Sequence, residues 1–237
     1  MWPARRARPR PAFGSSWTSA SPSNTATSRS NVPGSAVLAG GAARRYGGVP
    51  KGLLTVGGRR ILDRVVERLS AVTGAPPVLV ANAPDAVSWR PDLQTIADIR
   101  PGCGSLGGIY TAVTAGSAAG GGPVLCVAWD MPFVPEALLS ALVAGAAAGG
   151  YDAFLPESSG RRGLEPLCAV YGPACSRAIA RRLDNGELQA ISFHPDVRVG
   201  ILPLAEVKAF GDPDELFFNV NTPADLARAE ALSRRHG

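Results

Sequence analysis

Short apolar runs alternate along the chain with stretches of helical periodicity, beginning at residue 35. Unbroken apolar runs of strand length are typical of strands that are buried on both faces of a parallel sheet. Apolar residues spaced three and four positions apart indicate helices with one buried face. The predicted strands span residues 35–39, 77–81, 94–99, 124–128, 152–155, 168–171 and 199–202. The predicted helices span residues 60–72, 106–118, 135–147, 173–183 and 223–234.

The alternation of strands and helices predicts an α/β fold with three layers, α/β/α, around an open and mostly parallel sheet. A hairpin-like return between residues 152 and 171 predicts that one or two strands run against the others. Open sheets of this kind bind ligands beyond the carboxyl ends of their strands. Polar or glycine-rich positions occur at or just after four predicted strand ends, namely Gly40, Asn82, Asp98 and Asp130. We therefore expect the functional site at this edge.

Residues 1–34 differ from the rest of the chain in composition. They are rich in Arg, Ser, Thr and Pro, and they contain five arginines but no Asp or Glu. Such a segment without apolar periodicity is predicted to be disordered. Its composition also resembles an organellar transit peptide, and an upstream start codon chosen in error is the third explanation. We predict a disordered tail at residues 1–34 and one folded domain at residues 35–233.

The net charge of +5 comes from the five arginines of this segment, because the rest of the chain has no net charge. A neutral domain does not indicate a nucleic-acid partner, and no apolar run reaches the length that spans a bilayer. We expect neither nucleic acid nor membrane among the partners. The four cysteines show no CxxC spacing, and with two histidines they do not indicate zinc. No disulfide framework is evident, which predicts a cytoplasmic location.

The loop after the first predicted strand concentrates glycines and cations. Residues 38–51 contain four glycines and the cations Arg44, Arg45 and Lys51, with no acidic residue. Glycines let backbone N–H groups approach a ligand closely, and these cations supply charge for phosphate oxygens. The alternative is a turn with solvated basic side chains. The cations recur around the second of two Gly-Gly pairs, which favours a phosphate-binding loop.

Asp130 follows the predicted strand 124–128 by two residues. A carboxylate there can hold Mg²⁺ against substrate phosphates, because Mg²⁺ is usually bound by one or two carboxylates with phosphate and water. Mn²⁺ can take its place. The alternative role is a cap for the helix that begins near Pro135. That helix begins several residues too late for a good cap, so Asp130 is the predicted metal ligand.

Two asparagines, Asn219 and Asn221, alternate in the segment before the last predicted helix, which places both on one face of an extended chain. Thr222 precedes a proline and is the predicted helix cap, with Asp225 near the position of a capping box. The cap does not explain the asparagines, which are candidates for orienting metal or phosphate.

No Ser–His–Asp or Cys–His set can be assembled. Nucleotidyl transfer needs none, since a phosphate can attack the α-phosphorus directly once reactants are aligned.

Residues 102–107 match the pattern G-x-G-x-x-G, and Asp130 lies 23 residues beyond Gly107. An acidic residue near that distance is expected in dinucleotide-binding folds. The glycines of that motif should follow directly on an apolar strand, whereas residues 98–101 intervene here. This interpretation also leaves the loop 38–51 without a role. A non-catalytic NAD(P)-binding module is therefore the weaker alternative.

Four segments resemble signature motifs of the molybdenum cofactor guanylyltransferases, within the nucleotidyltransferase superfamily. The loop 38–54 is similar to the family's glycine- and cation-rich signature, and residues 104–109 are similar to its G-P-L-x-G-I segment. Residues 129–133 match its D-x-P-[FY] motif, and residues 218–223 match its closing F-x-N-V-N-T-P. All four occur in the family's order between residues 35 and 232, so the resemblance implies a Rossmann-like nucleotidyltransferase fold.

The resemblance also implies a reaction in which GTP and molybdopterin, or Mo-molybdopterin, give a guanylated cofactor and pyrophosphate. It implies base contacts at the end of the first strand, nucleoside contacts at the next two strand ends, and phosphate contacts from the cations. The residues that it assigns to nucleotide binding are Leu38, Ala39, Gly40, Gly41, Arg44, Lys51, Asn82, Asp98, Gly107 and Asp130. The residues that it assigns to the catalytic centre are Arg45, Lys51, Asp130, Asn219 and Asn221.

Gly41 favours GTP over CTP, because cytidylyl relatives typically carry Leu-Ala-Ala-Gly where this chain has Leu-Ala-Gly-Gly. Tyr46, Pro50 and Ser105 depart from the residues usual in the family. Besides the NAD(P)-binding module, two alternatives stay open: a nucleotidyltransferase with another acceptor or base, such as a phospho-acid, a sugar phosphate or a cytidylylated pterin, and a chaperone-like carrier of the cofactor. Molybdoenzyme apoproteins and cofactor-delivery proteins are the further partners implied, and we expect a monomer.

Overall fold

The computed structural model describes residues 34–40, 50–160 and 163–236. The strands in these ranges are β1 (Gly34–Ala39), β2 (Thr55–Val56), β3 (Arg59–Arg60), β4 (Val78–Ala81), β5 (Thr95–Ile96), β6 (Val124–Ala128), β7 (Ala153–Pro156), β8 (Cys168–Tyr171) and β9 (Val199–Leu202). Seven of them form one sheet in the order β5-β4-β1-β6-β8-β7-β9, and β2 and β3 form a separate hairpin. In the sheet, β8 runs antiparallel to β6 and β7, while the other neighbours are parallel. The predicted mostly parallel sheet is confirmed.

Helices cover both faces of this sheet. The helices are α1 (Ile61–Thr73), α2 (Gly104–Ala119), α3 (Glu136–Gly149), α4 (Ala174–Asp184), α5 (Leu204–Val207), α6 (Pro213–Leu216) and α7 (Pro223–His236). Helices α1 and α3 pack together on one face, and α2 and α4 pack together on the other, which gives the predicted three layers. In the described residues, no helix has both the length and the apolar character that crossing a membrane requires.

Strand β1 lies in the middle of the sheet and contributes to both hydrophobic cores. Val37 and Ala39 pack with the apolar residues of α1 and α3. Ala36 and Leu38 pack with those of α2 and α4. Successive side chains of a strand point to opposite faces, so burial on both faces requires apolar residues at every position. This explains the unbroken apolar run that predicted the strand.

One edge of the sheet contains the carboxyl ends of its parallel strands. The parallel strands β1, β4, β6 and β7 end there at Ala39, Ala81, Ala128 and Pro156, respectively. Strand β8 runs the other way and therefore begins at this edge, at Cys168. The loops after the parallel strands and the segment before β8 are thus neighbours. This is the carboxyl edge at which the sequence predicts the functional site.

The structure corrects the extent of one predicted strand. The prediction gave residues 94–99, but β5 contains only two residues. It is the outermost strand and pairs with β4 alone. Beyond β5, the backbone N–H of Asp98 donates to the side chain of Asn82 instead of continuing the strand pairing with β4. Gly34, placed in the tail by the sequence, begins β1, and residues 1–33 lie outside the described residues.

The hairpin of β2 and β3 was not predicted, although its turn has a clear sequence signal. Gly57 and Gly58 join the two strands with φ angles of 56° and 73°. Two-residue hairpin turns of this type require positive φ at both positions, which glycine adopts without strain. The short helices α5 and α6 were also not predicted. Four-residue helices show too little periodicity to be recognised from apolar spacing.

Candidate active site

A cavity of about 900 Å³ opens at the carboxyl edge of the sheet. Its size lies within the range of small-molecule sites in proteins. Its walls come from the loops after β1, β4 and β6, from the start of α2 and from the segment before α7. The described residues that line this main cavity are Leu38, Ala39, Gly40, Pro50, Val80, Asn82, Ala83, Asp85, Trp89, Asp98, Gly102, Gly104, Ser105, Gly108, Ala128, Trp129, Asp130, Leu167, Asn219 and Asn221.

Three polar side chains from distant parts of the sequence meet beside the main cavity. The Lys51 Nζ donates a hydrogen bond of 2.6 Å to the Asn221 Oδ1 and lies 4.0 Å from the Asp130 Oδ2. Lys51 is only 9% exposed, whereas lysine is almost never this buried unless it is paired. We call Lys51, Asn221 and Asp130 the polar cluster. It fixes one cation and one anion at the edge of the cavity.

Backbone hydrogen bonds hold Asp130 in place on two sides. The N–H of Trp129 donates to the carbonyl of Leu38 at 3.2 Å and thereby joins the end of β6 to the end of β1. The N–H of Val220 donates to the carbonyl of Asp130 at 2.9 Å, and Val220 is fully buried. The segment that carries Asn221 is therefore attached directly to the residue whose carboxylate faces the cavity.

Burial raises the pKa of Asp130 above that of an ordinary aspartate, because a low-dielectric environment disfavours the charged carboxylate. The ammonium of Lys51 acts in the opposite direction, but less strongly. The negative charge is thus only partly compensated by the protein, and a cation bound in the cavity would compensate the rest. The carboxylate fits Mg²⁺, which usually takes one or two carboxylates and completes its shell with water and substrate phosphates.

The predicted cap of the last helix orients Asn221. The N–H of Asp225 donates to the Thr222 Oγ1 at 3.2 Å, and the N–H of Thr222 donates to the Asp225 Oδ2 at 2.7 Å. This reciprocal pair is a capping box at the start of α7. The N–H of Asn221 donates to the same carboxylate oxygen at 3.0 Å. Asn219 lines the cavity as well, and its amide donates to the carbonyl of Phe217.

Gly52 permits the close approach of Lys51 to the end of β6. A β-carbon on Gly52 would lie 2.4 Å from a ring carbon of Trp129, a distance that real side chains do not reach. The Trp129 ring is buried and stacks on Trp89 with the ring centroids 5.1 Å apart. The indole N–H of Trp89 donates to the Asp85 Oδ2 at 3.0 Å. One wall of the cavity is therefore a packed aromatic pair.

Asn82 and Asp98 form a reciprocal pair at the ends of β4 and β5. The Asn82 Nδ2 donates to the Asp98 Oδ2 at 2.6 Å, and the N–H of Asp98 donates to the Asn82 Oδ1 at 2.8 Å. Both residues line the main cavity. The second amide hydrogen and the remaining oxygen lone pairs are available to a ligand with donors and acceptors along one edge, as a nucleobase has.

Arg68 on α1 binds the loop that follows Asp130. Its Nη1 donates to the carbonyls of Pro132 at 2.7 Å and Val134 at 2.8 Å. Burial lowers the pKa of this guanidinium, but arginine remains charged in proteins. Hydrogen bonds from a charged donor are stronger than those between neutral groups. Arg68 therefore positions the loop between β6 and α3, and with it the carboxylate at the cavity.

Arg68→Met should destabilise the protein and slow the reaction at this site. The substitution leaves two carbonyls without their donor, at a cost of roughly 1–3 kcal/mol in the free energy of unfolding. Because the released loop carries Asp130, turnover should fall by about tenfold. Urea denaturation and steady-state kinetics measure the two effects. The control is Arg59→Met, since Arg59 is exposed and pairs with Glu67 on the surface. Equal losses in the two variants would contradict the positioning role.

The structure brings most of the predicted site residues to the main cavity. Those that line it are Leu38, Ala39, Gly40, Asn82, Asp98, Asp130, Asn219 and Asn221. Lys51 is not in the lining and reaches the site through its contacts with Asn221 and Asp130. The predicted residues Gly41, Arg44 and Arg45 lie outside the described residues.

Gly107 is the one described site prediction without a contact to the main cavity or the polar cluster. It lies inside α2, where a β-carbon would meet the Cβ of Cys103 at 2.9 Å and the carbonyl of Arg100 at 3.2 Å. Its role there is close packing at the start of the helix. The next residue, Gly108, lines the cavity instead. Consecutive residues of a helix point about 100° apart, so Gly107 and Gly108 lie on different faces of α2.

Two features of the site were not predicted from the sequence. The contacts of Arg68 join residues that are 64 and 66 positions apart, and no local pattern indicates such a pairing. The contact between Asp85 and Trp89 spans four positions, a spacing at which side chains meet on one helical turn. This second signal could have been found in the sequence.

Comparisons with known proteins agree with the fold and indicate one family. A crystal structure of molybdopterin-guanine dinucleotide biosynthesis protein A from Archaeoglobus fulgidus superposes with a TM-score of 0.71 at 29% identity, covering 85% of this chain and 98% of that one. A probable molybdenum cofactor guanylyltransferase from Pelotomaculum thermopropionicum is 34% identical over 83% of this chain and 91% of its own length. A molybdenum cofactor guanylyltransferase from Desulfosudis oleivorans is 35% identical over 82% and 93%.

The open α/β sheet and its similarity to these proteins define a nucleotidyltransferase with a Rossmann-like fold. The chain belongs to the family of MobA-like NTP transferase domains, whose pattern matches residues 35–197. The resemblance of the four sequence motifs to those of molybdenum cofactor guanylyltransferases is thus confirmed. A dinucleotide-binding role for residues 102–107 does not fit, because α2 begins at Gly104, well after the end of the two-residue β5.

Proposed function

We propose that the protein is a Mg²⁺-dependent guanylyltransferase that transfers GMP from GTP to molybdopterin and releases pyrophosphate. The names of its relatives support guanylyl transfer and a molybdenum cofactor. The observation that carries the proposal is the polar cluster, in which a buried ammonium and a carboxylate that is 14% exposed lie 4.0 Å apart beside a cavity of nucleotide size. The product would pass to molybdoenzyme apoproteins or cofactor-delivery proteins in the cytoplasm.

In this reaction a phosphate oxygen of molybdopterin attacks the α-phosphorus of GTP, and the bond from that phosphorus to the pyrophosphate oxygen breaks. The ammonium of Lys51 can donate to phosphate oxygens and offset the charge on the leaving group. Asn221 holds that ammonium in position through its 2.6 Å hydrogen bond. Asp130 would hold Mg²⁺, which when bound acts as a Lewis acid on the phosphates.

We assign the guanine base to the part of the main cavity formed by the ends of β1 and β4. Leu38 and Gly40 offer apolar surface and open backbone there, and no atom lies within 4 Å of where a β-carbon on Gly40 would be. The reciprocal pair of Asn82 and Asp98 offers oxygen acceptors beside it. Guanine carries adjacent N–H donors on one edge, which suits such acceptors.

Pyrophosphate release separates this proposal from the alternatives. Protein with Mg²⁺, GTP and molybdopterin should release pyrophosphate and form a guanylated product, detected by mass spectrometry. Omission of molybdopterin should stop the release, and CTP or ATP should give rates at least about tenfold lower. A product with CTP alone would change the base assignment. GTP binding without any release would indicate a carrier, and thermal stabilisation by NAD alone would contradict a GTP site.

A further inference from the structure

The carboxylate of Asp98 comes from a stretch of chain without regular secondary structure. Strand β5 ends at Ile96, two residues before Asp98, and α2 begins only at Gly104. We call the residues between these two elements, 97–103, the β5–α2 loop. A backbone outside strands and helices has many accessible conformations. Contacts with other elements must therefore fix this carboxylate if it is to select a ligand.

Side chains from two different layers bind consecutive backbone N–H groups of the β5–α2 loop. The N–H of Asp98 donates to the Oδ1 of Asn82, just beyond β4, at 2.8 Å. The N–H of Ile99 donates to the Oγ1 of Thr111, in α2, at 3.0 Å. The first of these contacts ties the loop to the sheet, and the second ties it to the helix layer. The backbone of Asp98 is thus held from both sides.

The hydroxyl of Thr111 is buried and makes two hydrogen bonds. Thr111 is only 1% exposed. Its Oγ1 donates to the carbonyl of Gly107, one turn earlier in α2, at 2.9 Å, which leaves its lone pairs for the N–H of Ile99. A threonine that only bonds back to its own helix slightly destabilises that helix. The contribution of this hydroxyl to the structure is therefore the bond to the β5–α2 loop.

The Oδ1 atom of Asp98 is the acceptor that these contacts present to the main cavity. The other carboxylate oxygen, Oδ2, accepts from the Asn82 Nδ2 at 2.6 Å. A β-carbon on Gly108 would lie 3.9 Å from Oδ1 and 3.8 Å from the Cδ2 of Leu38. Gly108 and Leu38 both line the main cavity, as Asp98 does. Within the described part of the chain, no residue donates to Oδ1, so this oxygen can accept from a bound base.

We propose that Thr111 is a positioning residue for base selection, because its hydroxyl fixes the β5–α2 loop so that the Asp98 Oδ1 meets the donor edge of guanine. This inference rests on the proposed function. Thr111 is not in the lining of the main cavity and acts through the loop. Guanine differs from hypoxanthine, the base of inosine triphosphate (ITP), by a 2-amino group beside N1–H. A carboxylate oxygen at a fixed place favours the base that carries both donors.

Thr111→Val tests this role with little change in shape, because a methyl group replaces the hydroxyl and the N–H of Ile99 loses its acceptor. Calorimetry in the presence of Mg²⁺ gives the Kd for GTP and for ITP. The Kd for GTP should rise about tenfold and that for ITP less than about threefold. The preference for GTP over ITP should therefore fall by at least about threefold. In steady-state kinetics, the KM for GTP should rise by a larger factor than kcat falls.

Two further variants separate positioning from a general loss of stability. Thr111→Ser keeps the hydroxyl and should keep the preference for GTP. Thr73→Val is the matched control, because Thr73 is 5% exposed and its Oγ1 likewise donates to a carbonyl one turn earlier, that of Leu69 in α1, at 2.8 Å. It should lose stability but keep the preference. Equal losses of preference in Thr73→Val and Thr111→Val, or no loss in Thr111→Val, would overturn the positioning role. If Thr111→Val fails to fold, Thr111→Ala carries the same expectation, since alanine favours a helix.

Failure of the proposed function can be told apart from failure of this inference. Transfer of GMP requires the acceptor, whereas calorimetry with GTP and ITP requires the nucleotide alone. If the unsubstituted protein transfers no GMP to molybdopterin but binds GTP more tightly than ITP, the proposed function is wrong and Thr111→Val still tests the positioning role. Equal affinities for GTP and ITP in a protein that transfers GMP would contradict this inference alone. A protein that binds neither nucleotide would contradict both.

Discussion

Asp130→Asn should lower the rate of guanylyl transfer by about a thousandfold. The amide has the shape of the carboxylate but lacks the charge that a Mg²⁺ ligand needs. The hydrogen bond from Val220 uses the backbone carbonyl of residue 130 and should persist, so the loop should keep its position. Pyrophosphate release at saturating GTP measures the loss. Added Mg²⁺ should not restore the rate.

The same substitution should not reduce the stability of the protein at neutral pH. Because burial raises the pKa of Asp130, the folded protein holds this proton more tightly than the unfolded chain does. Stability therefore falls as the pH rises from the usual aspartate pKa through the raised value. Asparagine cannot ionise, so this part of the pH dependence should disappear, and the thermal midpoint at neutral pH should be equal or higher.

Asp92→Asn is the matched control for Asp130→Asn. Asp92 is exposed and pairs with Arg90 on the surface, and it does not line the main cavity. Surface ion pairs contribute little to stability, so this variant should keep its activity. If Asp130→Asn retained near-full transfer, the assignment of the metal ligand would be wrong. A parallel loss in both variants would point to a general effect of the substitution.

Lys51→Met should reduce transfer by about a hundredfold, the second largest expected effect. Methionine fills the space of the lysine stem but cannot donate to Asn221 or balance the charge of Asp130. Both functions of the ammonium in the polar cluster are lost together, because it lies within reach of both side chains. Stopped-flow or steady-state pyrophosphate release gives the rate, and calorimetry with GTP gives the loss in affinity.

The pH dependence of Lys51→Met provides an independent readout. The ammonium of Lys51 lowers the pKa of Asp130 against the effect of burial, so its removal should raise that pKa further. Asp130 must be ionised to bind a cation, and the acidic limb of the rate profile should therefore move to higher pH. Lys208→Met, at an exposed position, should leave the profile unchanged. An unaltered GTP affinity in Lys51→Met would contradict the phosphate role.

The central strands were predictable because their burial determines their composition. Strands β1 and β6 lie inside the sheet, and residues 36–39 and 124–128 are all buried and apolar. Strand β5 was predicted too long, since an outer strand has one neighbour and its polar continuation at Asp98 pairs with a side chain instead. The residue types along a strand thus predict directly whether the strand is buried, but they predict only indirectly which strands pair with each other.

The site was predictable where it depends on strand ends and not where it depends on packing between elements. Asp130 and Asn221 were identified because polar residues follow an apolar run or precede a helix cap. The hydrogen bond between Lys51 and Asn221 joins positions 170 residues apart and requires Gly52 to pack on the Trp129 ring. No local pattern contains that information.

The bond between Val220 and Asp130 has a consequence for the order in which a working enzyme is made. A chain is synthesised from its amino terminus, and its early parts can begin to fold before the rest has emerged. The sheet strands from β1 to β9 precede residue 203, whereas the segment that fixes Asp130 and holds Lys51 comes after residue 216. A nascent chain can therefore complete its sheet while its catalytic centre is still open. Competence to transfer a nucleotide through the polar cluster can therefore arise only after residues 217–221 have been synthesised.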